Sequence, residues 1–189
     1  MFKNTIFRRM TALVLTLALA AAAALPGLAV YPMPIQTASE TEAVYLFNAD
    51  TGKTILNQNA DQQQYVASLT KLMTALLLLE SGKDLNGEVT VPTALTQEFR
   101  DIQNANGTTM GLRIGETVRR IDLLNAMLIV SANDAASVIA YDVGGSVLDF
   151  VKQMNARAQE LGCTGTNFTC AHGLFDGPAA AGKRQGSER

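Results

Sequence analysis

Val66-Ala67-Ser68-Leu69-Thr70-Lys71-Leu72-Met73-Thr74-Ala75, continuing through Leu76 to Leu79 and stopping at Ser81-Gly82, is the stretch around which the rest of the sequence is arranged. From Leu69 to Glu80 apolar residues fall on every face of a helix. In a water-soluble protein that pattern predicts a central core helix, buried on all sides. Gly82 suits the position just past its C-terminus. Ser68 lies at or beside the N-cap, where a serine hydroxyl accepts an otherwise unpaired backbone N–H. Lys71 is a lone charge in this greasy run, and it sits in the first turn against the positive end of the helix dipole. Both surroundings disfavour the ammonium and should lower its pKa, which suits a proton acceptor near neutral pH. Ser68 and Lys71 are three residues apart, so a helix holds them on one face as a nucleophile with its base. The spacing alone is common, and an N-cap serine followed by a snorkelling lysine gives the same pattern.

Upstream, Lys3, Arg8 and Arg9 precede an apolar run from Thr11 to Leu25, and Gly27-Leu28-Ala29 supplies small residues at a signal-peptidase spacing. Residues 1–29 are therefore expected to be a signal peptide, with the mature chain starting near Val30 and with no stable membrane anchor once it is cleaved. Its removal takes the formal charge from −2 to −5, and an acidic exported chain gives no support to nucleic-acid binding. One domain accounts for the remaining length, and a hydrophobic content of 48% suffices for its core. With one histidine, His172, and no Cys-x-x-Cys or His-x-x-x-His, metal-site spacing is absent and no cofactor is implied. Export permits a disulfide between Cys163 and Cys170, but the intervening Thr164-Gly165-Thr166-Asn167 turns without obliging the sulfurs to meet, so the pairing stays open.

Residues 30–42, with Pro32 and Pro34, read as an extended lead-in. Ala43 to Phe47 and Lys53 to Asn57 then flank the turn-rich Asn48-Ala49-Asp50-Thr51-Gly52 as a β-hairpin. Beyond Gly82, Val89-Thr90-Val91-Pro92 suggests a short strand, Thr93 to Arg100 a short helix, and Gly111 to Val118 a small strand and turn. Asp122 is placed to cap an apolar helix from Leu123 to Val130. Asn133 or Asp134 is placed to cap the next, from Ala135 to about Val143. A last amphipathic helix from Val147 to Leu161 turns Val147, Phe150, Val151, Met154, Ala158 and Leu161 inward and stops at Gly162. Between two of these helices sits Ser131-Ala132-Asn133, a polar knot that by itself reads as a capping turn.

Taken together, these segments resemble the serine-type D-alanyl-D-alanine carboxypeptidases of peptidase family S11. The likeness rests on Tyr65 to Ala75 with its Ser-x-x-Lys, on Leu123 to Ala136 with its Ser-Ala-Asn-Asp, and on Met154-Asn155 through Leu161-Gly162 to Asn167-Phe168 and His172-Gly173-Leu174. It covers residues 43–176; Val66 stands where the family usually has proline. The resemblance implies an α+β fold of the β-lactamase/transpeptidase type, here the helical part plus an N-terminal hairpin. It also implies acyl transfer on peptidoglycan stem peptides ending in D-Ala-D-Ala. Ser68 would be the nucleophile, Lys71 its base and Ser131 a proton relay, with Asn133 binding substrate and β-lactams acylating the same serine. His172 invites a Ser-His reading, but Lys71 already supplies the base by a local spacing, so His172 is expected to be structural.

The family's third motif, Lys-Thr-Gly, is absent from these 189 residues, and 177–189 carry no apolar period. That run reads as a disordered tail, the product of a frameshift or a truncated gene, and the C-terminal strands of the sheet are expected to be missing. The chain is then expected to be an impaired carboxypeptidase with a bare hairpin edge and a tendency to aggregate. The alternatives are a non-catalytic exported peptide-binding remnant or fragment of the same fold and, ranked below it, a β-lactamase. The expected location is the periplasm or the cell-wall face of a bacterium.

Overall fold

The computed structural model describes residues 42–174. The expected signal peptide, nearly all of the lead-in, and the tail at 177–189 lie outside the described residues. Two units divide between Asn59 and Ala60.

The first unit is the hairpin. Strand β1 (Val44–Asn48) pairs antiparallel with β2 (Lys53–Gln58), Val44 opposite Gln58 and Asn48 opposite Lys53, with a bulge between Leu46 and Phe47. Its connector closes through Asn48, whose side-chain oxygen accepts the Thr51 N–H at 2.9 Å while its carbonyl accepts the Gly52 N–H. This is the local bonding that makes asparagine a turn former. Tyr45 stacks on Phe47, and its hydroxyl meets Thr54 Oγ1 at 3.0 Å.

The second unit is helical with one small sheet. A 3-10 turn (Ala67–Leu69) leads into α1 (Thr70–Glu80), and strand β3 (Glu88–Thr90) follows. A second 3-10 turn (Thr93–Leu95) enters α2 (Thr96–Asn104), and β4 (Thr117–Arg119) then pairs antiparallel with β3, Val89 opposite Val118. Helices α3 (Arg120–Ile129), α4 (Asn133–Gly144) and α5 (Val147–Glu160) complete the described chain.

The central helix is α4, not the helix that follows Ser68. Every residue from Asn133 to Ala140 is buried, and the small Ala135, Ala136, Ser137 and Ala140 let neighbours approach its backbone closely. Its Val138 and Ile139 join Leu78, Leu95, Leu123 and Met127 in the larger apolar cluster, and its Ala140 joins Phe150, Val151, Met154 and Ala171 in a second. Helix α1 buries one face rather than all of them: Lys71, Thr74, Ala75 and Leu78 point inward, at the i, i+3, i+4, i+7 spacing, while Leu72 and Leu79 are more than half exposed. The inward stripe is more polar than the outward one. Its partners explain this, for Thr74 Oγ1 donates to the Ala171 carbonyl at 2.6 Å and Lys71 finds three acceptors of its own.

Several expected caps are not made. Ser68 lies inside the 3-10 turn, one residue before the N-cap position of α1, and makes no capping bond there. Helix α3 starts at Arg120, so Asp122 falls in its first turn and clasps Arg119 in two bonds of 2.8 and 2.9 Å instead of capping. Asn133 and Asp134 lie within α4, whose N-cap is Ala132. Leu161, expected on the inner stripe of α5, is about half exposed just past its end. Cys163 is exposed and Cys170 is buried, and the two are not joined in a disulfide. Among the described residues no helix is long and apolar enough to cross a membrane.

Candidate active site

The head of α1, the junction of α3 with α4, and the segment 170–174 meet at one point. The 3-10 turn bends the chain so that Ser68 is exposed while Lys71, one helical turn on, is 2% exposed. Lys71 Nζ donates to Ser68 Oγ at 3.1 Å, to Asn133 Oδ1 at 2.8 Å and to the His172 carbonyl at 2.8 Å. On the far side, the Ser131 hydroxyl donates to Ser68 Oγ at 2.9 Å. The four residues singled out in the sequence, Ser68, Lys71, Ser131 and Asn133, are thus brought together although more than sixty positions separate the two pairs.

This tripod has a chemical consequence. An ammonium satisfies all three acceptors, but a neutral amine has two hydrogens and one lone pair. Asn133 Oδ1 and the His172 carbonyl accept only, so they keep the two hydrogens, and the lone pair is left facing the one partner that can donate, Ser68. Burial lowers the pKa of Lys71 from 10.5 to about 8, with the nearby Cys170 acting in the opposite sense. The loss of charge therefore falls within reach of neutral pH.

Asn133 also donates through Nδ2 to the Thr108 carbonyl at 3.0 Å, while its backbone N–H bonds the same carbonyl at 2.8 Å. Asp134 is 2% exposed and takes three consecutive loop amides, Met110 on Oδ1 and Gly111 and Leu112 on Oδ2, each at 3.0 Å. The loop after α2 is thereby strapped to the start of α4. It forms one wall of an open groove of about 360 Å³, lined by Tyr65, Ser68, Asn106, Thr108, Ser131 and Leu174 among others. Two non-glycine residues flanking the nucleophile have left-handed backbones, Ala67 at φ 46° and Ser131 at φ 60°.

His172 is fully buried and held at both ends, as expected of a structural histidine. Nε2 lies 3.1 Å from Glu98 Oε1, and the Leu174 N–H donates to Nδ1 at 3.1 Å. Burial disfavours a charge on this ring, and hydrogen bonds with Cys170 and Glu98 favour one. The Leu174 bond, however, needs the Nδ1 lone pair. The arrangement seen is that of a neutral ring carrying its proton on Nε2, and charging it would forfeit that bond. Gly173, at φ 79°, is where this segment crosses the Ser68 turn: a methyl group there would overlap the Ala67 carbonyl oxygen.

Asp134, Glu98, Ser137 and Thr108 belong to this constellation, and residue spacing did not single them out for it. A carboxylate at the head of a helix as apolar as α4 is the one available hint, and its position is equally that of a cap. Among the described residues no cluster of three or more His, Cys, Asp or Glu is arranged to hold a metal.

Comparison with known proteins gives one consistent answer. Residues 32–180 match the Peptidase S11 family model, described as D-alanyl-D-alanine carboxypeptidase. DacF of Bacillus subtilis, a D-alanyl-D-alanine carboxypeptidase, is 33% identical over 144 residues, which are 75% of this chain and 36% of the relative. DacA of Haemophilus influenzae, another, is 36% identical over 148 residues, 76% of this chain and 36% of that protein. The chain thus spans little more than a third of the length of these curated relatives. Among solved structures, penicillin binding protein 5 from Haemophilus influenzae aligns with a TM-score of 0.56 and 35% identity, over 65% of this chain and 36% of that one. A Listeria monocytogenes penicillin-binding protein in its ampicillin-bound form aligns at 0.53 and 30%, over 72% and 53%. The fold is that of the transpeptidase and penicillin-binding proteins, over part of their length.

Proposed function

The chain belongs to the Peptidase S11 family of D-alanyl-D-alanine carboxypeptidases, and from that premise we propose that it acts on peptidoglycan stem peptides through an acyl-enzyme on Ser68. The observation that carries this reading is the Lys71 tripod, which leaves a lone pair for Ser68 and no other partner. Lys71 takes the Ser68 proton as Oγ attacks the carbonyl between the two terminal D-alanines. The C–N bond breaks with the proton passing through Ser131 to the departing D-alanine, and water then releases the acyl group. Asn133 has a second Nδ2 hydrogen beyond the one given to Thr108, and it offers this to the substrate backbone. β-Lactams present the same carbonyl to the same serine.

In relatives of this fold a strand bearing Lys-Thr-Gly adds an oxyanion-hole donor, and these 189 residues contain no such sequence. Taken by themselves they should acylate about 10²- to 10³-fold more slowly than a protein that carries that donor. The basic and then apolar start of the chain supports export to the periplasm or cell-wall face, and mass spectrometry of the exported form should find cleavage near Ala29 rather than an intact Met1. The test of the reaction is labelling of the purified chain by a fluorescent penicillin. Ser68→Ala and Lys71→Ala should each abolish it; label that persists in Ser68→Ala would assign the chemistry to another residue.

A further inference from the structure

Lys71 owes its aim to a carbonyl, and that carbonyl belongs to a residue whose side chain is tied to a helix far away in sequence. Glu98 lies in the first turn of α2, 74 positions before His172. Its Oε1 meets His172 Nε2 at 3.1 Å and accepts the Ser137 hydroxyl of α4 at 3.2 Å. At the opposite end of the ring the Leu174 N–H occupies Nδ1, and the Gly173 N–H donates to Cys170 Sγ at 3.2 Å. A flipped ring would turn C–H groups toward both Glu98 and Leu174, so one orientation satisfies the pocket. With the ring fixed and the next residue pressed against the Ala67 carbonyl, the His172 carbonyl has little freedom but to face Lys71 Nζ, 2.8 Å away.

We propose that Glu98 is a positioning residue for the Lys71 base: by holding His172 it fixes the carbonyl that claims one Lys71 N–H and so turns the amine's lone pair toward Ser68. This rests on the reading of Lys71 as the proton acceptor. Among the described residues, the titratable groups acting on the ring are Glu98 from α2 and Cys170 from its own segment, and Cys170 also acts on Lys71. Removing the Glu98 side chain weakens an acceptor that favours the ammonium and takes away a negative charge, so both effects lower the Lys71 pKa. The lone pair meanwhile loses its alignment, which lowers the rate even where the amine is neutral.

The experiment compares the 189-residue chain with Glu98→Ala, Glu98→Gln and Ser137→Ala by two readouts: the pH profile of Ser68 acylation by a fluorescent penicillin, and NMR titration of the Lys71 side chain. Glu98→Ala should lower the high-pH plateau of acylation about tenfold and move the Lys71 titration to lower pH. The pre-acylation affinity for penicillin should stay within about threefold. Glu98→Gln keeps an oxygen acceptor for Nε2 and should recover most of the plateau. If Glu98→Ala does not fold, Ser137→Ala, which removes only the hydroxyl steadying Glu98, should lower the plateau about threefold. A folded Glu98→Ala with an unchanged plateau and an unchanged Lys71 titration overturns the proposal, as does Glu98→Gln being as slow as Glu98→Ala. Absence of label in the unmodified chain would count against the acyl-enzyme itself. The NMR arm would then still decide whether Glu98 governs Lys71.

Discussion

Gly173→Ala should disable the site without touching any of its polar groups. Gly173 has φ 79°, a conformation that costs an L-residue roughly 1–2 kcal/mol. The added methyl would also overlap the Ala67 carbonyl oxygen and stand 2.9 Å from Thr70 Oγ1. Neither neighbour yields easily, because the first is backbone and the second belongs to a fully buried residue. Relief of such overpacking typically costs about 1–3 kcal/mol, so the two effects together amount to about 3 kcal/mol. For a unit of this size that corresponds to a fall in Tm of roughly 10 °C. The backbone that must give way is the turn carrying Ser68, and a displacement of about 1 Å there should slow acylation about 10²-fold. Thermal unfolding and penicillin labelling measure the two effects separately. A Gly173→Ala protein that melts and labels like its parent would show that the crossing of these two segments is looser than the structure has it.

Other outcomes follow from the same geometry. With a Lys71 pKa of about 8, roughly a tenth of the amine is neutral at pH 7, against about 0.03% for an ordinary lysine. Acylation should rise with pH and level off above about 8; a profile still rising steeply past pH 10 would exclude Lys71 as the base. The same shift makes Lys71 a liability to the fold. Between pH 8 and 10.5 the unfolded chain holds a proton that the folded one has released, so this group's contribution to stability should increase across that window and be lost below it. Asp134→Ala would strip three loop amides of their acceptor and should cost about 3 kcal/mol, with faster hydrogen exchange at Met110, Gly111 and Leu112 as the direct readout.

Much of this was legible in the chain because it is local. The hairpin was announced by Asn48 to Gly52, the last helix by its apolar stripe and Gly162, and the pairing of Ser68 with Lys71 by a three-residue spacing. What escaped is what depends on contacts between distant segments. Counting apolar residues made the Ser68 helix look central, but small residues permit closer packing than large ones, and Ala135, Ala136 and Ala140 gave that place to α4. Asp134 has the composition of a cap, yet a passing loop more than twenty positions away offered it better-placed partners. The link from Glu98 to His172 has no period or motif at all.

The left-handed backbones of Ala67 and Ser131 carry a lesson about selection. At each position glycine would relieve roughly 1 kcal/mol of steric cost, and asparagine at 131 would tolerate the conformation better than serine does. A library of this protein sorted for heat resistance alone should therefore drift toward glycine at 67 and toward glycine or asparagine at 131. Each gain in robustness at 131 would delete the hydroxyl that touches Ser68. Breeding the scaffold for toughness and keeping it able to capture penicillin are opposed demands, and they collide at an identifiable residue.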